Sequence, residues 1–265
     1  MTKKENYENG SCSKSLIKTL QIMELYARKE EYGIKEISEN TNIPPSTVQR
    51  IVNTLVMREF LTQNTHNTKY RLGMAFFRIS SRYSHGDNWI QQAKLHMEKL
   101  VDKHHETVNL AELKGTKVMY LAKVESPFIV RPNFDVGTAY PAVSTALGRC
   151  LLSQLPNQEL KKMIELSRAD KDMPLHIKTQ DFINALEKIR ERGYAVEDEE
   201  FQKGLFCIAA PVYDRQNKCV AAISTSIPKQ RLDFGELPEL VEDIKETANA
   251  ISKELQQKFA FEKAE

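Results

Sequence analysis

What this 265-residue sequence lacks removes several classes of protein at once. No apolar run approaches the roughly 20 residues of a membrane-spanning helix. The opening MTKKENYENGSCSKS is polar with no apolar segment behind it, so no signal peptide is expected and cytoplasmic residence is the default. Cysteine is scarce: Cys12, Cys150, Cys207 and Cys219 form no C-x-x-C pair, and the histidines do not stand at metal-ligand spacing to any of them. A disulfide scaffold and a structural zinc site are therefore not expected. His104 and His105 are the one close histidine pair, and adjacent side chains on a helix or strand point apart. G-x-S-x-G, the P-loop and a glycine-rich dinucleotide turn are missing too. No base stands beside a nucleophile, so no catalytic residue, metal or cofactor is expected.

One sign of charge is also thin at the start, where no aspartate precedes Asp87. Residues 1–85 carry 13 Lys+Arg against 8 Asp+Glu, a net of +5, while residues 86–265 carry 25 against 28, a net of −3. A positive N-terminal third on a faintly negative remainder suits a nucleic-acid reader attached to something else. The length allows one large domain or two ordinary ones. The polar-to-apolar pattern divides it at 1–85 and 86–265, with His85-Gly86-Asp87 as the hinge.

Within residues 14–28, Leu16, Ile17, Leu20, Met23, Leu25 and Tyr26 fall at helical spacing, and Ser13 is suited to the N-cap. A second, two-turn helix, IKEISENT, directs Ile34 and Ile37 inward. It must end at Thr41-Asn42 and Pro44-Pro45, because proline lacks the amide and restricts its predecessor. Proline is tolerated in the first turn of the next helix, about 45–57. That helix turns Val48, Ile51, Val52 and Leu55 inward and leaves Ser46, Gln49, Arg50 and Asn53 largely outward. Hydroxyls bond phosphates or base edges, Gln pairs with adenine, and Arg grips guanine or phosphate. The interruption sets the angle between the two helices, which is the layout of a helix-turn-helix. EFLTQNTHNTKYRLG then reads as a hairpin: Leu61–Gln63, a loop at Asn64–Asn67 and a return through Lys69–Arg71. As a wing it would bring Lys69 and Arg71, with His66 or Asn67, to the DNA backbone or minor groove. Element order, positive charge and wing in succession favour this over a three-helix packing module that touches no DNA.

Residues 74–85 predict a linker helix with Met74, Phe77 and Ile79 apolar, which pack on a partner subunit or on the chain's own second domain. Another helix runs from Trp89 to about Lys103. From Glu106 the pattern changes to strands, TVNLAEL and KVMYLAKVE, paired as a hairpin. STALGRCLLSQL predicts a helix opened by Ser144 or Thr145, and residues 157–192 are helical with a break near Asp172–Pro174. GYAVEDEEF, GLFCIAAPVYD and CVAAISTSIP return to strands before a long C-terminal helix. The class is α+β with an antiparallel sheet. Ser224 and Ser226 point to one face of their strand. With Cys207 and a carboxylate from the acidic run Glu197–Glu200 they would line a pocket for a small polar molecule. A solvated turn and a buried apolar cysteine are the plainer readings of the same residues.

Beyond these patterns, the chain resembles the IclR-type bacterial transcriptional regulators over nearly everything from Ser13 to about Leu255. The motifs are IKEISENTNIPPSTVQRIVNTL, YRLG at 70–73, YLAKVESP at 120–127 and TALGR at 145–149. RGYAVEDEE at 192–200, GLFCIAAPVYD at 204–214 and AAISTSIP at 221–228 complete them. The resemblance implies an N-terminal winged helix-turn-helix joined by a linker helix to a GAF-like effector-binding domain. It implies a homodimer, with a dimer of dimers as a further assembly, on palindromic operator DNA, and a small-molecule effector such as a small carboxylate or sugar acid. Carried over by position, Ser46, Thr47, Gln49 and Arg50 occupy the DNA-reading helix. The effector pocket falls at Glu197, Cys207, Ser224 and Ser226, with Tyr140 and Val143 on its apolar side. The sequence departs from the family in places. Pro45 stands where a basic residue is common, Gln49 where His or Tyr is frequent, and Arg149 where Lys is usual. Glu197 replaces a pocket aspartate, which leaves neighbouring Asp198 as an alternative. The expected function is a ligand-responsive, sequence-specific regulator, a repressor of a catabolic operon. Two rivals are a DNA-binding architectural protein whose C-terminal domain only oligomerises, and an enzyme with a targeting module.

Overall fold

A computed structural model describes residues 12–84, 88–173 and 178–258. The hinge expected at His85–Asp87 lies outside the described residues, as does Pro174 at the expected helix break. The chain divides into two compact units, Met1–Asp87 and Asn88–Glu265.

In the first unit, α1 (Lys14–Leu25) starts at Ser13, whose Oγ accepts the Leu16 amide at 3.4 Å. Helix α2 (Ile34–Thr41) starts where the Glu36 carboxylate takes the Gly33 amide at 2.7 Å. It stops at Asn42, whose left-handed backbone (φ 57°) turns the chain. The Ser38 hydroxyl donates to Ile43 O at 2.6 Å and clamps that turn. Helix α3 (Pro45–Met57) then begins with proline in its first turn. Strands β1 (Leu61–Gln63) and β2 (Tyr70–Leu72) pair antiparallel, Leu61 opposite Leu72 and Gln63 opposite Tyr70. The return strand thus lies one residue beyond the expected Lys69–Arg71. Tyr70 is the buried position, and it also bridges to Tyr32. Helix α4 (Met74–Ser84) completes the unit.

The core of this unit gathers Ile22, Ile37, Val48, Val52, Leu55 and Leu61. Each buried aliphatic side chain of this kind contributes about 1.5–3 kcal/mol. Leu25 of α1 and the following Tyr26 are buried as their spacing suggests, but the start of the helix turns otherwise. Ile22 is fully buried, whereas Leu16 and Leu20 are 57% and 52% exposed.

The second unit opens with α5 (Asn88–His104) and the hairpin β3 (Thr107–Lys114) and β4 (Lys117–Val124). Strand β5 (Ala139–Pro141) and a short 3-10 turn lead into α6 (Ala146–Ser153), α7 (Asn157–Ala169) and α8 (Thr179–Arg192). Strands β6 (Ala195–Asp198), β7 (Leu205–Tyr213) and β8 (Cys219–Pro228) precede α9 (Leu237–Lys258). The strands form one antiparallel sheet in the order β5-β4-β3-β8-β7-β6. Helices α5 and α9 cover one face, where Met97 and Ile244 meet Leu110 and Ile208. Leu147 and Leu151 of α6 and Leu186 of α8 cover the other, against Ala111, Val118 and Cys207. Coverage on both faces explains why β7 and β8 are buried almost throughout instead of on alternate residues. Asp243 of α9 ties the first layer together, with Lys103 Nζ and His104 Nε2 each 2.6 Å from its Oδ2.

Candidate functional site

Helix α3 presents two kinds of surface. Val48, Ile51, Val52 and Leu55 are buried in the core, so the opposite side must be presented outward. Ser46 and Arg50 are exposed, and Thr47 and Gln49 are half-buried. The Gln49 amide donates to Asn53 Oδ1 at 2.8 Å, so these two side chains form one polar ridge. Asn53 therefore acts with Gln49 on this face. The helix is short, amphipathic and angled off α2 by the Asn42 turn, with its hydrogen-bonding side chains clustered near its N-terminal end. That is the form in which a helix enters a major groove with its first turns at the base edges.

The wing is built by side chains that sequence reasoning assigned to DNA. The Glu31 carboxylate accepts from Asn64 Nδ2 at 2.9 Å and Asn67 Nδ2 at 2.8 Å. Asn67 also accepts the Lys69 amide at 3.0 Å and shapes the turn. Lys69 Nζ lies 3.2 Å from Glu36, which also holds Lys29 at 2.8 Å. Lys29, the Gly33 amide and Lys69 together hold the Glu36 carboxyl down at about 2. Lys69 is therefore engaged within the fold, and Arg71, exposed on β2, is the more available wing cation.

In the second unit, strand register brings four of the expected residues together. Glu197 lies opposite Cys207, Cys207 opposite Ser226, and Ala209 opposite Ser224. All four line one small cavity with Tyr120, Phe134, Thr145 and Phe201. Its volume is about 10 Å³, close to the minimum for one water molecule. Ser226 Oγ accepts from Cys207 Sγ at 3.4 Å and from Asn109 Nδ2 at 3.2 Å, which leaves its own proton to donate. Asn109 Oδ1, buried behind Ser226, has no partner among the described residues. Glu197 is 1% exposed, and its Oε1 accepts the amides of Glu200 at 2.6 Å and Phe201 at 2.9 Å. Burial raises the Glu197 carboxyl above the usual carboxylate range, against the lowering effect of those amides. Burial likewise pushes the Cys207 thiol well up, which suits a packed thiol and not a nucleophile.

Three expected pocket residues lie elsewhere. Asp198 follows Glu197 on β6 and so points to the other face, where Lys229 pairs with it. Val143 is buried beside α6, and its carbonyl accepts from Arg149 Nε at 2.9 Å. Tyr140 packs edge-on against Tyr120, Phe134 and Phe201, behind the cavity wall and not on it. Four residues went unnoticed in the sequence: Asn109, Tyr120, Phe134 and Phe201. Thr145 was visible as a helix cap, and its Oγ1 accepts the Gly148 amide at 3.1 Å. Among the described residues no group of His, Cys, Asp or Glu is arranged to hold a metal.

Helix α3 thus turns a polar face outward, and the second unit holds a small cavity lined by hydroxyls and one buried acid. Known proteins resemble the chain in both units. The model of the IclR helix-turn-helix domain matches residues 15–65, and that of the bacterial transcriptional regulator IclR C-terminal domain matches residues 81–253. The chain is 29% identical over 242 residues to the HTH-type transcriptional regulator KdgR of Escherichia coli K12, covering 91% of this chain and 92% of that one. It is 30% identical over 221 residues to the HTH-type transcriptional repressor AllR of the same organism, covering 83% and 82%. The fold matches an IclR homologue from Microbacterium hydrocarbonoxydans, crystallised with 4-hydroxybenzoate, at a TM-score of 0.77 and 22% identity, over 91% and 98% of the two chains. The chain belongs to the IclR family of DNA-binding bacterial transcriptional regulators.

Proposed function

We propose that this regulator is a repressor of a catabolic operon, binding a palindromic operator as a homodimer and answering to a small hydroxylated carboxylate. The observation that carries the reading is the two-sided α3, apolar inward with Ser46 and Arg50 exposed and the Gln49–Asn53 ridge between them. A dimer would set two such helices in successive major grooves one helical turn apart. Leu16 and Leu20 on α1 and Met74 and Ile79 on α4 are exposed apolar side chains, which a partner subunit would cover. AllR, named a repressor, supports that direction of control.

The effector class follows from the cavity. Helix α6 begins at its wall with Thr145, Ala146 and Leu147, and the first amides of a helix favour an anion. Ser226 has a proton to donate to a ligand, and Asn109, which donates to it, leaves its own buried Oδ1 unpartnered. The homologue bound to 4-hydroxybenzoate carries both groups on its ligand. Effector binding acts by favouring one spacing of the two readers, and only as far as its affinity differs between the alternatives.

The test is capture of genomic DNA by the full-length protein, with footprinting of the best site. A discrete palindrome is expected, and its adjacent operon nominates the acids to titrate. Diffuse binding with no shared motif, unaltered by any small acid, would replace this reading with an architectural role.

A further inference from the structure

The Glu197–Gly204 segment closes the cavity, and it is held differently at its ends and its tip. Its ends are pinned to the strands. Lys229 pairs with Asp198, lies 2.8 Å from Glu199 Oε2, and donates its amide to Gly204 O at 2.8 Å. The Glu199 amide donates to Leu205 O at 2.9 Å. Glu199 and Gly204 both have left-handed backbone, φ 58° and 80°, so the chain reverses at each end of the tip.

Two polar holds reach the tip itself. From inside, Glu197 takes the amides of Glu200 and Phe201. From outside, the Arg149 guanidinium makes a two-pronged ion pair with Glu200. Arg149 is fixed for this task by Val143 O and by the Phe182 ring 5.9 Å away. Phe201 lines the cavity and is half-buried, with its ring 5.3 Å from Tyr140 and 6.3 Å from Phe134. It therefore spans from cavity to surface. A cavity of about 10 Å³ admits no organic ligand, so some wall must move before one binds.

We propose that Phe201 is the plug of the effector cavity, and that the Arg149–Glu200 ion pair is the latch that keeps it seated. The tip lifts about Glu199 and Gly204 while the pinned ends stay on the sheet. This deepens the effector-site reading and rests on it, yet it describes the protein before any ligand arrives. The plug also determines which ligands fit: those large enough to hold Phe201 out are distinguished from those over which it can close again.

Cys207 lies in the cavity under the plug, and Cys150 is buried in the same core away from it. The experiment treats the full-length protein with iodoacetamide and follows each cysteine by peptide mass spectrometry. In Glu200→Gln, which cuts the latch at a side chain on the surface, Cys207 should react about ten-fold faster than in the wild type with Cys150 unchanged, because local opening is promoted without global unfolding. Phe201→Ala should give the same pattern. Equal Cys207 rates in Glu200→Gln and the wild type would overturn the latch. A parallel rise at Cys150 would also overturn it, by showing general loosening. No effector is present in this experiment. Failure of the effector reading would show separately, as a tip that opens on a cavity no acid fills.

Discussion

Arg50 and Glu197 test the two proposed sites one side chain at a time. Arg50 stands exposed on α3, beyond the buried Ile51 and Val52 that fix the helix. Arg50→Ala removes a bidentate donor without touching the core. Operator affinity in a gel-shift assay should fall about 100-fold or more, because a homodimer loses two base-reading arginines. The melting of the second unit should not change, and an unaltered affinity would displace α3 as the reading helix. Glu197 tests the interior. Its folded carboxyl titrates above the unfolded value because burial disfavours the charge. Between those two values the native state holds more protons than the unfolded one. Stability contributed by the neutral acid is therefore full at low pH and is lost as pH rises through the folded value. Glu197→Gln should remove that slope. Thermal melts of both proteins between pH 4 and pH 8 should diverge in this sense, and parallel curves would mean that the carboxylate is ionised throughout.

Elements explain how much of this was legible beforehand. Pro44-Pro45 and the apolar period of α3 made that helix visible, because a proline pair and a 3.6-residue stripe are local signals. The strands of the second unit other than β5 were equally plain, whereas Ala139–Pro141 reads as irregular in sequence. The active face of α1 was not, because its apolar residues lie on several sides and only packing selects Ile22 over Leu16 and Leu20. Phe134 and Phe201 reach the cavity from loops far apart in the chain, where no period marks them. Asp198 and Glu197 could be told apart only once pairing with β7 showed which of them faces Cys207. Helix α6 adds a constraint of the same non-local kind. A Cβ on Gly148 would lie 2.1 Å from Ala142 O and 2.3 Å from Ala142 Cα, so the helix rests directly on the preceding 3-10 turn. Gly148→Ala must move backbone, and we expect it to cost about 3 kcal/mol or more, the upper range for overpacking a core. A melting temperature within a degree of the wild type would show that α6 is free to shift.

At the scale of the molecule, charge and coupling make separate demands. Arg50 and Arg71 give each reader two exposed cations, hence four in a dimer. If each neutralises one phosphate, log affinity should fall against log salt with a slope of about −3.6, a loss of roughly 100-fold between 50 and 200 mM. A slope near zero would remove these cations from the interface. Coupling is the sterner test, because regulation by an effector is a statement about free energy and not only about two sites. The cavity lies in the second unit and the proposed reading helix in the first, two compact units of one chain. If an acid weakens operator affinity by some factor, operator must weaken affinity for the acid by the same factor, whatever path connects them. The acid that alters the footprint should therefore be titrated by calorimetry against the free protein and against the protein–operator complex. Typical couplings are about 1–3 kcal/mol, so the two dissociation constants should differ by roughly 5- to 150-fold. Equal constants would mean that the acid competes with DNA by some other route, such as binding the reader itself. In that case Glu197→Gln and Ser226→Ala would leave the footprint response intact, whereas a response through the cavity requires both variants to change it.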